Sequence, residues 1–418
     1  MDIKDIYEIF KQYPTICTDT REVTKDSIFI SLKGEKFNGN KYALKSIENG
    51  CAYAIVDEEE YSVNEHTILV NNSLKTLQDL ATYHRNQLNI PVIAITGTNG
   101  KTTSKELINS VLNSELSCIS TKGNLNNHIG VPLSILKINK QHKVAVIEMG
   151  ANHKREIEFL CNIAQPNYGV ITNIGSAHLE GFGSLQAIVD TKKELYDFIN
   201  LSKGHLFVNS DDELLLRLSK DSMRKTYGES GDITASIVGT TPLISIKYNN
   251  ETINSHLIGD FQFSNILLAI CIGNYFNISN MNIKRSIESY IPQNNRSQIL
   301  KTNKNTLILD AYNANPSSMR AMLNSFANQQ YRNKLCILGD MLELGKESIK
   351  EHIHIINLAN ELKLDCLFVG EIFNSLDEKG FKTRNELAQN LNNKNIYDKT
   401  ILLKGSRGIE LEKLIEFL

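Results

Sequence analysis

The stretch Val92-Ile-Ala-Ile-Thr-Gly-Thr-Asn-Gly-Lys-Thr-Thr103 constrains the fold of this chain more than any other. A β-branched run ends in a glycine-rich turn, and a lysine and hydroxyl residues then open a helix at about Lys101. The amides of such a turn, with the positive end of the helix, form a cradle for phosphate. In that arrangement Lys101 reaches the β- and γ-phosphates and Thr102 holds Mg²⁺. The pattern G-x-x-x-x-G-K-[ST] lacks its first glycine, because Ile95 stands there. The plainer alternative is a strand-to-helix turn with Lys101 as a solvated charge, but the strand-turn-helix order favours the cradle.

The 418 residues suffice for two or three domains. Hydrophobic residues make up 41% and charged residues 22%, which suits a packed globular chain. A net charge of −2 gives no ground for a nucleic-acid partner or a membrane surface. No apolar run approaches the length of a bilayer span, and Met1-Asp-Ile-Lys-Asp-Ile-Tyr-Glu lacks the apolar core of a signal peptide. The seven cysteines are scattered with no C-x-x-C, mostly in apolar contexts such as Leu335-Cys-Ile337. They read as buried free thiols of a cytoplasmic protein rather than a disulfide frame or zinc site.

Three units are expected: residues 1–89, 90–295 and 296–418. In the first, Ser27-Ile-Phe-Ile-Ser-Leu32, Ala52-Tyr-Ala-Ile-Val56 and Thr67-Ile-Leu-Val70 read as strands, and helical spacing runs from Leu74 to Leu88. Pro91 punctuates the chain before the glycine-rich turn. In the second, Val144-Ala-Val-Ile147 and Tyr168-Gly-Val-Ile-Thr172 are continuous apolar runs, as in strands buried on both faces of a parallel sheet. Leu243 to Ile258 reads as an antiparallel excursion turning at Asn249-Asn250, and a helix from Ser264 leads to the polar link Pro292-Gln-Asn-Asn-Arg296. In the third, strands at Thr306–Leu309, Leu335–Leu338, Cys366–Val369 and Ile401–Leu403 each end near Gly or Asp and precede helical patterns. The fold class is therefore α/β: a small first unit, a central phosphate-loop unit with a mostly parallel sheet, and a Rossmann-like last unit. Ligands collect beyond the carboxyl ends of such strands, so Asp310, Asp340, Gly370 and Gly405 should share one rim.

Glu148 ends a strand beside the phosphate loop and suits Mg²⁺; a capping or surface role is the alternative. His178 follows Ile171-Thr-Asn-Ile-Gly175 and is either a second metal ligand or a structural loop histidine. In the helical pattern Ser184–Phe198, Lys192 falls on the apolar stripe of Ile188 and Val189, whereas Lys193 falls toward the polar side. A lysine there either snorkels or is chemically changed. In Asp310-Ala-Tyr-Asn-Ala-Asn-Pro316, the side chains of Asp310, Asn313 and Asn315 can bond a nucleotide, while Asn315 also suits a helix cap with Pro316 behind it. Lys404-Gly-Ser-Arg407 opens a final helix and offers Ser406 and Arg407 to a carboxylate or phosphate.

Together these segments resemble the Mur ligase family over nearly the whole chain. The resemblance rests on Thr96-Gly-Thr-Asn-Gly-Lys-Thr102, Gly123-Asn-Leu-Asn-Asn-His-Ile-Gly-Val-Pro132, Glu148-Met-Gly-Ala151 and Asn173-Ile-Gly-Ser-Ala-His-Leu-Glu180. It also rests on Asp310–Pro316, Leu338-Gly-Asp-Met-Leu-Glu-Leu-Gly345 and Lys404–Arg407. It implies a monomeric, ATP-dependent amide-forming ligase that takes UDP-N-acetylmuramoyl-tripeptide and D-alanyl-D-alanine and uses two Mg²⁺ ions. Lys192 then matches a lysine carbamylated by CO₂. His178 joins it on one Mg²⁺, while Thr102 and Glu148 hold the other, and Lys101, His178 and Lys192 form the catalytic set. ATP falls to Thr96, Gly97, Thr98, Asn99, Gly100, Lys101, Thr102, Thr103, Asn265, Arg296, Asp310, Asn313 and Asn315. Substrate binding falls to Thr20, Arg21 and Asn38 in the first unit, Asn124, Asn126 and Asn127 in the second, and Asp340, Ser406 and Arg407 in the third. No residue stands out as the base that takes the amine proton; Asp340 and Glu343 are candidates by location alone. One departure stands out: the family's Gly-x-His-Asn-x-x-Asn motif reads Gly259-Asp-Phe-Gln-Phe-Ser-Asn265 here.

Overall fold

The protein is described by a computed structural model that covers residues 1–175, 179–394 and 396–418. A four-stranded parallel sheet comes first, in the order Ile16–Cys17, Ile28–Ile30, Tyr53–Val56, Thr67–Leu69. Its strands are shorter than the apolar runs suggested. The helix Ile3–Gln12 carries a capping box from Asp2 and Asp5 that the sequence pattern did not single out.

The helix Ser73–Asn86 fastens this sheet to the central unit. Its buried face carries Gln78, His84 and Arg85. Gln78 donates to the His128 carbonyl (3.1 Å) and His84 Nε2 to that of Ile138 (2.8 Å). The Arg85 guanidinium donates to the carbonyls of Ala164 and Gln165 and to Asn167 Oδ1. A cation on those carbonyls also meets the negative end of the helix Glu156–Ala164. This seam is packed and hydrogen-bonded, so Pro91 marks a turn in the chain and not a free hinge.

The second sheet has six parallel strands in the order Arg224–Tyr227, His205–Asn209, Tyr168–Ile171, Val92–Thr96, Val144–Glu148, Cys118–Ser120. Val92–Thr96 lies in the middle and every residue in it is buried. Pairing of Ile95 with Glu148 places the carboxylate beside the glycine-rich turn. The helix Phe263–Tyr275, buried from Asn265 through Gly273, packs against the helix Lys101–Asn113. The antiparallel excursion exists as three strands, Ser236–Gly239, Ser245–Tyr248 and Glu251–Asn254. Asn249 and Asn250 turn it at φ of 46° and 64°, the left-handed pair that a tight hairpin needs.

The last sheet runs Gln298–Lys301, Thr306–Asp310, Thr400–Lys404, Lys334–Gly339, Cys366–Val369, parallel except for its first strand. Asp310, Asp340, Gly370 and Gly405 stand at the carboxyl ends of its parallel strands. After Lys404 the chain forms two 3₁₀ segments, Arg407–Ile409 and Leu411–Phe417, where an α-helix was expected. Among the described residues all seven cysteines are free, and no helix is long and apolar enough to cross a membrane.

Candidate active site

Two glycines shape the turn at the heart of the site. Gly97 has φ +145°, and a Cβ there would stand 1.9 Å from Thr172 Oγ1. Gly100 has φ +80°, and its Cβ would stand 2.5 Å from Asn265 Oδ1. Both positions exclude side chains, sterically and through backbone conformation. Gly100 is the N-cap of the helix Lys101–Asn113 and gives it no side-chain cap, so the first helical amides are left for a ligand. Neighbouring strand ends hold the turn: Asn99 N donates to Asn173 Oδ1 (3.0 Å) and Gly175 N to Thr98 Oγ1 (2.9 Å). Asn265, buried, accepts from Ser104 Oγ and donates to Gln262 Oε1 (2.7 Å). In the departed motif, Gln262 thus spends its oxygen on Asn265 and keeps its amide hydrogens.

The turn opens into a cavity of about 840 Å³. Its floor is Gly97 to Thr103; Asn124, Asn126, Asn127, Glu148 and Lys192 form one wall; Asn265, Arg296, Asp310, Asn313 and Asn315 form the other. Lys101 folds over the turn and donates to the carbonyls of Gly97 (2.6 Å) and Thr98 (3.0 Å). Thr102 Oγ1 donates to Glu148 Oε2 (2.9 Å) and Asn126 Nδ2 to Glu148 Oε1 (2.8 Å). Among the described residues no group of three or more His, Cys, Asp or Glu could hold a metal. Glu148 with the Thr102 hydroxyl nonetheless fits Mg²⁺, which takes one or two carboxylates plus phosphate oxygens and water.

Lys192 projects from the helix Leu185–Leu201, whose N-cap Ser184 accepts from Ala187 N. It is 4% exposed, and among the described residues no hydrogen bond or ion pair reaches its amine. Burial and then the nearby Lys101 charge hold its pKa down at about 7, against the opposing pull of Glu194. With its pKa at about 7, a large share of this amine is unprotonated near neutral pH, the form in which nitrogen is a nucleophile. Lys193 faces solvent and pairs with Asp197, as its position on the helix requires. His178 lies outside the described residues.

From the last sheet, the Arg296 guanidinium stacks on Tyr312, 3.7 Å from the ring centroid. Asp310 accepts from Ser297 N (3.0 Å) and pairs with buried Lys404 (2.5 Å), so its carboxylate is partly committed within the protein. Asn315 combines both expected roles: Oδ1 caps the helix Pro316–Asn328 through Ser318 N, and Nδ2 donates to Asn99 Oδ1 (2.8 Å). Asn99 also donates to Ser317 Oγ (2.8 Å), so the phosphate turn is clasped directly by the last unit.

Several expected residues stand elsewhere. Thr96 is wholly buried in its strand, below the cavity floor. Asp340 is 2% exposed and accepts the amides of Ile372 and Phe373 (2.9 Å each), capping the helix Glu371–Leu376. That buried carboxylate is committed to two helix amides and does not line the cavity. Ser406 is likewise internal, bonded to Leu342 N (2.9 Å). Arg407 is exposed; it pairs with Glu412 and stands 5.6 Å from the ring centroid of Tyr312. Asn127 faces the cavity but spends Oδ1 on the amides of Ile129 and Gly130. Thr20, Arg21 and Asn38 lie off the cavity; Arg21 pairs with Asp19 and Asn38 with Glu58. The sequence reading missed Ser317 and Lys105. Lys105 follows Lys101 by four residues and shares a buried helix stripe with Ile108 at i+3 and Leu112 at i+7, the same signal that singled out Lys192.

Comparison with known proteins places the chain in a family. Residues 95–273 match the family model of the Mur ligase middle domain, and residues 295–407 that of the Mur ligase glutamate ligase domain. A UDP-N-acetylmuramoyl-tripeptide–D-alanyl-D-alanine ligase of Bacillus subtilis is 32% identical over 96% of this chain and 92% of its own length. Its counterpart in Buchnera aphidicola is 35% identical over 97% and 92%. The crystal structure of MurF from Acinetobacter baumannii superposes with a TM-score of 0.87 at 30% identity, covering 99% of this chain and 97% of that one. With two family domains in order and kinship along almost the full length, the chain belongs to the Mur ligase family.

Proposed function

We propose that this protein joins D-alanyl-D-alanine to UDP-N-acetylmuramoyl-tripeptide, with ATP converted to ADP and phosphate. The observation that carries the reading is the cavity itself: an uncapped helix N-terminus, Lys101, Lys192 and Arg296 converge on one space beside Glu148. The names of the relatives at 30% identity and above supply the substrates. A donor carboxylate attacks the γ-phosphorus, ADP leaves, and an acyl phosphate forms. The dipeptide amine then attacks the acyl carbon; phosphate leaves with the carboxylate oxygen and the amine loses a proton. Two anions must meet in the first step, so positive charge fixed in advance carries most of the work. Lys101 and the helix amides hold the phosphates, while Arg296 and Asn315 bring the last unit onto the nucleotide.

Thr102 and Glu148 would hold one Mg²⁺, which supplies further neutralisation of the phosphates. Lys192 as a carbamate, with His178, would hold a second. Burial of Lys192 and its lowered pKa support that modification. Thr20, Arg21 and Asn38 are proposed to meet the UDP-sugar end of the donor in residues 1–89, and Asn124 and Asn126 its peptide end. Mass spectrometry of a reaction with both substrates tests the assignment. The expected product is the donor plus the dipeptide less water; a product formed only with a folate or a single amino acid would move the chain to a sister ligase.

A further inference from the structure

Lys105 is 1% exposed and does not line the cavity. Its ammonium donates to the carbonyls of Thr121 (2.7 Å) and Gly123 (3.3 Å). It also stands 3.8 Å from Glu148 Oε2 and 3.8 Å from Glu106 Oε1, and Glu106 is held by Tyr290 OH (2.9 Å). One side chain of the phosphate helix therefore grips the start of the segment 121–127. The far end of that segment is tied by Asn126 to Glu148, and Thr121 Oγ1 accepts from Glu148 N (2.9 Å). Among the described residues, Gly123, at φ +58°, and the turn between Leu125 N and the Lys122 carbonyl have no strand partner to hold them.

We propose that Lys105 is a positioning residue, tying the asparagine-bearing segment 121–127 and Glu148 to the helix that receives the phosphates. It touches no reactant; it fixes the distance between the wall carrying Asn124 and Asn126 and the floor carrying Lys101 and Thr102. An ammonium fits the task because it offers several donors at once to two carbonyls while balancing a buried carboxylate.

Hydrogen exchange on Lys105→Met and wild type, both without ligands, tests the tie. The expected result is faster exchange of the Leu125 and Asn126 amides, by about tenfold, with the amides of the helix Lys101–Asn113 unchanged. The kinetic counterpart rests on the ligase reading: kcat falls about 10²-fold, as for a small misplacement of reacting groups, while the KM for ATP stays nearly constant. Should Lys105→Met not fold, Lys105→Gln keeps two uncharged N–H donors on a shorter arm and should show the same pattern in milder form. Wild-type exchange in 121–127, or loosening spread evenly over the helix, overturns the proposal. If wild-type protein ligates nothing, the ligase reading fails while the exchange result still decides the role of Lys105.

Discussion

Replacing Lys192 by methionine should make the protein more stable and inactive. The ordinary lysine pKa of 10.5 falls to about 7 in the folded chain, through burial first and Lys101 second. The gap of about 3.5 units, at about 1.4 kcal/mol each, sets a ceiling of roughly 5 kcal/mol on the cost of the buried ammonium. Its sign comes from proton counting. Between pH 7 and 10.5 the unfolded chain holds the proton that the folded chain has released, so stability rises with pH across that window. Below pH 7 the whole penalty applies; near pH 10.5 it is gone. Methionine is unbranched, one atom shorter than lysine and uncharged, so Lys192→Met removes the penalty. Thermal melting in CO₂-free buffer from pH 6 to 10 reads this directly, at about 2–4 °C per kcal/mol for a domain of this size. The variant should melt higher than wild type at pH 7, with the difference shrinking as pH rises. Added bicarbonate should raise the wild-type melting temperature and leave the variant unmoved. A variant that melts lower at pH 7, or a difference that ignores pH, refutes the reasoning.

The same geometry sets three other outcomes. Lys101→Ala should lower turnover by about 10²–10³-fold, the usual loss of one preorganised charge, whereas Lys193→Ala, whose ion pair with Asp197 faces solvent, should change steady-state rates little. Asn315→Ala removes a helix cap worth about 1 kcal/mol and one half of the clasp on Asn99; small-angle scattering should show a larger radius of gyration, and an unchanged profile would deny the clasp. Asp340→Asn should lower the melting temperature through the cap on Ile372 and Phe373 while leaving the KM for D-alanyl-D-alanine in place; a raised KM with unaltered stability would return Asp340 to the substrate site.

The parts of this molecule that were legible in its sequence share a physical reason. Val92–Thr96, Val144–Glu148 and Tyr168–Ile171 are buried on both faces, so burial wrote itself as unbroken apolar runs. Gly97 and Gly100 announced the turn because no other residue fits there. The outer strands Cys118–Ser120, Gln298–Lys301 and Arg224–Tyr227 were not legible, since short edge strands alternate weakly and their pairing is decided by tertiary neighbours. Asp340 misled for a related reason: a strand-end carboxylate looks the same in sequence whether it turns to solvent or to a helix N-terminus. Lys105 was not legible in its role because its partners, the carbonyls of Thr121 and Gly123, belong to a loop that tertiary structure alone brings to the helix.

The most direct test of the ligase reading is phosphate release from ATP with UDP-N-acetylmuramoyl-tripeptide and D-alanyl-D-alanine, each omitted in turn. Release that requires both is the predicted result. Steady release with neither substrate present would contradict the account and make the cavity a nucleotide hydrolase.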